Sequence, residues 1–107
     1  MNERRVPTKW VVDYVCAIMK GYDERKRYME LYSSPGNKVI RLYAKLNNAI
    51  DEALAEECTP AEIESVRKSL MYGLPYEKVG ACPCGRRRFF AIRGEVIFSV
   101  ARKLRIL

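Results

Sequence analysis

The sequence predicts an all-α fold. An N-terminal antiparallel helical hairpin (residues 8–57) precedes a C-terminal three-helix helix-turn-helix unit (residues 59–107), within one domain spanning all 107 residues. Three observations predict it. Apolar residues recur at three- and four-residue steps over most of the chain, the period of a helix with one buried face. No segment shows the strict alternation of a half-buried strand; residues 96–100 are strand-like in composition but continue a helical stripe through Leu104. Five prolines (Pro7, Pro35, Pro60, Pro75, Pro83) fall between the periodic stretches, where helices start or break.

The spacing predicts a first helix over residues 8–32, capped by Thr8. Trp10, Val11, Tyr14, Val15, Ile18, Tyr22 and Met29 form its stripe, and Lys20-Gly21 weakens its middle. Residues 33–37 (Ser-Ser-Pro-Gly-Asn) compose a turn, short enough to fold the next helix back antiparallel. That helix covers about residues 38–57, with Val39, Leu42, Tyr43, Leu46, Ile50, Ala53 and Leu54 inward. Its acidic end (Asp51, Glu52, Glu56, Glu57) lies where the helix dipole disfavours anions, which suggests a contact with the basic C-terminal half. Thr59-Pro60-Ala61-Glu62 is a capping box with proline at N1, so a third helix runs over 60–72. Ile63, Val66, Leu70 and Met71 face inward, and Gly73 ends the helix. A very short helix over 74–79 and a tight connection over 80–85 lead into a last helix over 85–104. Phe89, Phe90, Ile92, Val96, Ile97, Val100 and Leu104 supply its buried side.

Charge divides along the chain. Residues 1–66 carry ten Lys/Arg against eleven Asp/Glu, net −1, whereas residues 67–107 carry ten against two, net +8. The whole excess of +7 therefore lies in the last 41 residues. A neutral scaffold followed by a polyanion-binding surface fits this division, and a solvated basic helix face is the competing reading. Arg86, Arg87 and Arg88 open the last helix, where its dipole disfavours cations, so an external anion such as phosphate would compensate them.

This layout matches a helix-turn-helix, in which the second helix of the pair enters the major groove with its N-terminal residues at base edges. The candidate base readers are Arg86, Arg87, Arg88 and Arg93, since arginine pairs bidentately with guanine and also binds phosphate. Lys78 and Arg102 are candidate DNA contacts outside that group, Arg102 fitting the backbone better than the bases. Phe90 either packs on the short helix or reaches a thymine methyl, with burial favoured for so large an apolar side chain.

The stretch Tyr72-Gly73-Leu74-Pro75-Tyr76-Glu77-Lys78-Val79 resembles the start of the helix-turn-helix in sigma-factor region 4 domains. Pro83-Cys84-Gly85-Arg86-Arg87-Arg88-Phe89-Phe90 resembles phage late-gene transcriptional regulators of the ArpU/RinA type, the likeness covering about residues 60–104. The resemblance implies sequence-specific duplex-DNA binding and activation of transcription in a phage or prophage, with RNA polymerase as a candidate further partner. Two departures stand out: the turn is shorter than in the sigma-type motif, and Gly94 interrupts the recognition helix.

Other functions are thinly supported. The absence of histidine excludes Ser-His-Asp and Cys-His nucleophile systems and histidine-ligated metals. No phosphate-binding glycine motif or catalytic set occurs, so no enzyme and no cofactor are expected. Cys16 and Cys58 are 42 residues apart and Cys82-Pro83-Cys84 has one residue between its thiols, which does not suit zinc. Cys84 could cap the last helix weakly, and nearby arginines would lower a thiol pKa and permit a redox role at Cys82/Cys84. The tyrosines cluster in the neutral half, away from the arginines, which argues against base stacking on single-stranded RNA. No leader peptide or membrane-length apolar run is visible, so a cytoplasmic chain without disulfides or membrane contact is expected. The rival functions are a small terminase-like DNA-packaging subunit and a protein-interaction module without nucleic acid. A homodimer would suit a palindromic site.

Overall fold

A computed structural model describes residues 8–32, 34, 36–80 and 82–107. Pro7, Ser33 and Pro35 of the expected breaks and Ala81 of the expected connection lie outside them. The regular structure of the described residues is all helical, with no strand among them: α1 (Lys9–Lys20), α2 (Tyr22–Leu31), α3 (Lys38–Glu57), α4 (Pro60–Tyr72), one turn of 3-10 helix (Tyr76–Lys78) and α5 (Arg86–Lys103).

The first helix is two helices. The chain bends at Gly21, where the residue's low helix propensity meets a side-chain wedge. Arg25 reaches back from α2 and donates to the terminal Ile18 carbonyl of α1 at 2.5 Å. Its Nε donates to Asn47 Oδ1 at 2.7 Å, and Asn47 Nδ2 donates to the Tyr22 carbonyl at 3.2 Å. The Tyr22 hydroxyl donates to Asp51 at 2.8 Å. This network satisfies the end of α1 and latches α2 onto α3. A Cβ on Gly21 would come within 2.6 Å of the Arg25 guanidinium, so that side chain would have to shift to admit one.

The other boundaries follow from their caps. Asn37 Oδ1 accepts from the Val39 and Ile40 amides at 2.8 and 3.3 Å, which starts α3. The Thr59 amide donates to Glu62 Oε1 at 2.9 Å in the capping box of α4. Gly73 stops α4 in the left-handed region, at φ 70°. Lys103 of α5 bonds Glu56 at 2.8 Å and lies 3.8 Å from Glu52, so the acidic end of α3 does meet the basic C-terminal segment.

The expected hairpin and the C-terminal part share one core. α3 lies chiefly against α5 and α2, while α1 lies against α4 and α5. One apolar cluster takes Val15 and Met19 from α1, Ile50 from α3, Leu70 from α4 and Phe89 and Val96 from α5. The short helix expected over 74–79 is a single 3-10 turn, and residues 73–85 connect α4 to α5. That connection is longer than the turn of about 3–4 residues that joins the pair in a helix-turn-helix. Pro75 pushes Leu74 out of helical geometry before the 3-10 turn, and Gly80, at φ 91°, breaks it off after Val79.

Several expected core residues are exposed. Trp10 and Tyr14 lie on the outer side of α1, and Val39 and Leu42 lie near the start of α3. The helical period identified each stripe but not its angular width. α1 buries only Val11, Val15 and Met19, and the first half of α3 extends past the core with α2 beside it.

Candidate nucleic-acid interface

α5 buries Phe89, Ile92, Val96 and Val100 on one face and exposes Arg87, Phe90, Ala91, Glu95 and Arg102 on the other. Phe90 is therefore not the core residue it was expected to be. Its neighbour Phe89 takes that place at 0% exposure, while Phe90 is 41% exposed. A helix turns about 100° per residue, so adjacent phenylalanines cannot share a face. The two rings meet edge to face, 5.4 Å between centroids, and Phe89 meets Tyr76 of the 3-10 turn at 5.0 Å.

The three leading arginines have three different surroundings. Arg86 forms an ion pair with Glu77, and its guanidinium lies 5.2 Å from the Phe90 ring and 5.9 Å from that of Tyr76. Arg88 turns inward to α4: its Nε donates to Glu62 Oε2 at 2.9 Å and a terminal nitrogen to Oε1 at 3.3 Å. Arg87 is exposed, with no ion pair or hydrogen bond to its side chain among the described residues. The dipole penalty at this helix start is thus compensated inside the protein for Arg86 and Arg88 and left open for Arg87. No acidic residue lies in the first turn of α5.

Arg93 stands three residues beyond Phe90, with its guanidinium 5.7 Å from the ring. Its Nε is buried and has no hydrogen-bond partner among the described residues. Lys78 is exposed on the 3-10 turn, next to the Glu77 that holds Arg86. Arg102 lies over Phe98 at 5.9 Å, about 24 Å along the axis from Arg86 at the helical rise. The structure therefore gathers Lys78, Arg86, Arg87, Arg88 and Arg93 at one end of α5 and leaves Arg102 at the other.

Glu62 is the residue that sequence reasoning credited with a cap alone. It is buried, and it joins the start of α4 to the start of α5. Hydrogen bonds from Arg88 and from the Thr59 amide hold its carboxyl at a pKa of about 2. A depressed carboxylate pKa contributes stability above its ordinary value near 4.5 and loses it as pH falls toward 2. Glu62→Gln can still accept from Thr59 but carries no charge for Arg88. Its melting temperature should fall below that of the wild type at neutral pH, and the gap should close by about pH 2 in thermal unfolding across pH.

The cysteines are all free. Cys84 does not cap α5: its thiol faces that of Cys82, 3.4 Å away, and Gly85 holds the N-cap position. Burial and the Cys82 contact push the Cys84 pKa up to about 11, and burial does the same for Cys58. The expected lowering by arginines is outweighed there. Among the described residues, no three Cys, Asp or Glu side chains converge as a metal cage requires. No described helix is long and apolar enough to cross a membrane.

No family model, curated protein or solved structure matches the chain. The functional reading rests on its own residues.

Gly94 sits on α5 beyond Phe90, and a Cβ there would meet nothing within 4 Å. Internal packing does not explain this glycine. Gly94→Ala should raise stability by about 0.8–1 kcal/mol, measured by denaturant unfolding, since only helix propensity changes.

Proposed function

We propose that the chain binds duplex DNA, with the first turns of α5 in the major groove, and acts as a transcriptional regulator of phage type. One observation carries the binding. The guanidinium groups of Arg86 and Arg93 flank an exposed phenylalanine on α5, and the exposed Arg87, next in sequence to Arg86, has no acceptor among the described residues. Such forks match guanine edges and phosphates. Arg88 supports the site from behind, by fixing the first turn of α5 to Glu62. Lys78 lies where it can meet the flanking backbone, and Arg102 is too far along α5 to share the same base steps. The transcriptional role adds the resemblance of residues 60–104 to this geometry, and contact with RNA polymerase follows from that role. Titration of a labelled mixed-sequence duplex against salt tests the binding. Each phosphate contact should contribute about −0.9 to the log–log slope, and no duplex binding at low salt would contradict the proposal.

A second reading has its own observation. Leu31, Tyr32, Val39 and Leu42 are exposed large apolar side chains at the end of α2 and the start of α3. Such a cluster favours a protein contact, in a homodimer or in an interaction module without nucleic acid. Mass in solution separates the assemblies: a monomer or dimer suits a regulator, and a large ring suits a packaging subunit.

A further inference from the structure

We propose that Phe90 reads the C5-methyl group of thymine in the major groove, so that the site prefers methyl-bearing pyrimidines. The inference deepens the duplex reading above and rests on it. The ring is 41% exposed, in the second turn of a helix whose opposite face is core. It is not loose: Phe89 braces it edge to face at 5.4 Å, and Phe89 is itself fully buried. A guanidinium stands on either side of it along the helix, Arg86 at 5.2 Å and Arg93 at 5.7 Å. Charged forks aligned with phosphates or guanines would therefore carry this one apolar edge toward the bases between them.

The chemistry of the groove leaves few partners for such an edge. Major-groove base edges present hydrogen-bonding groups, and the thymine methyl is the apolar exception. Phenylalanine has no donor or acceptor, so hydrogen-bonding edges offer it nothing. A base flipped onto the ring from a single strand is the other arrangement that would cover it, and it requires no methyl.

The test competes two pools of the same random-sequence duplex, one synthesised with thymine and one with uracil. The pools differ in major-groove methyl groups while base pairing and phosphate charge are the same. Wild-type protein should enrich the thymine pool in the bound fraction by about fourfold per contacted methyl, the value of one buried methyl group. Phe90→Ala should bind both pools equally, and Phe90→Leu should keep part of the preference, each variant first shown to be folded by circular dichroism. Equal binding of the pools by wild type, or an unchanged preference in Phe90→Ala, overturns the assignment to Phe90 and leaves duplex binding standing. Binding of neither pool overturns the duplex reading as well. Tighter binding of single strands than of either duplex, with uracil and thymine strands alike, assigns the ring to base stacking and also overturns the inference.

Discussion

Phe89→Ala should lose about 3–5 kcal/mol of unfolding free energy, whereas Phe90→Ala should lose about 1 kcal/mol or less. The two residues are adjacent and chemically identical, so only their surroundings differ. Phe89 is among the largest fully buried side chains, packed in the cluster that joins α1, α3, α4 and α5. Its removal leaves a cavity that rigid helices on every side cannot fill. For a domain whose whole stability is about 5–15 kcal/mol, that loss leaves a marginal protein. Phe90 forfeits its edge contact with Phe89 and its two cation contacts, all at the surface. Denaturant unfolding of both variants at one pH reads the contrast. Equal losses would mean that α5 is rotated from the orientation described.

Arg87→Ala should behave in the opposite way. Its side chain has no partner among the described residues, so unfolding stability should not fall. The change also removes a cation from the positive end of the α5 dipole. Duplex affinity should drop by about 1–3 kcal/mol with relaxed specificity at one base position, if the arginine pairs with guanine. A contact to phosphate alone would weaken all sequences alike and reduce the salt slope by about 1. Arg88→Ala makes the control. It removes the partner of a buried carboxylate, so its stability should fall at neutral pH. Its effect on DNA binding should follow from a displaced first turn of α5.

The start of α3 and both ends of α4 are legible in the sequence because their caps are local. Asn37, the Thr59–Glu62 box and Gly73 each act within a few residues of the helix end. The break at Gly21 is only half legible. The glycine marks a weak point, but the wedge that uses it comes from Arg25 and Asn47, and Asn47 lies on another helix. The short helix over 74–79 reads as helical from its apolar spacing, and Pro75 before it and the left-handed Gly80 after it hold it to one 3-10 turn. In the candidate site, the gathering of cations at the start of α5 is legible from charge along the chain. Their division of labour is not. Glu62 and Arg88 are 26 residues apart, and no periodicity links them. Whether Phe89 or Phe90 turns inward depends on the phase of α5 against the rest of the core. The neighbouring Ile92, Val96 and Val100 share the Phe89 face at three-, seven- and eleven-residue steps, and that is the signal that could have separated the pair.

The central claim is that the exposed face at the start of α5 is a duplex-DNA surface. Amide shifts of the labelled protein, followed while a mixed-sequence duplex is added at low salt, test it most directly. Shifts should concentrate on residues 86–94 and on the 3-10 turn before them, with residues 31–42 unmoved. Shifts confined to residues 31–42, or none anywhere, would contradict the claim.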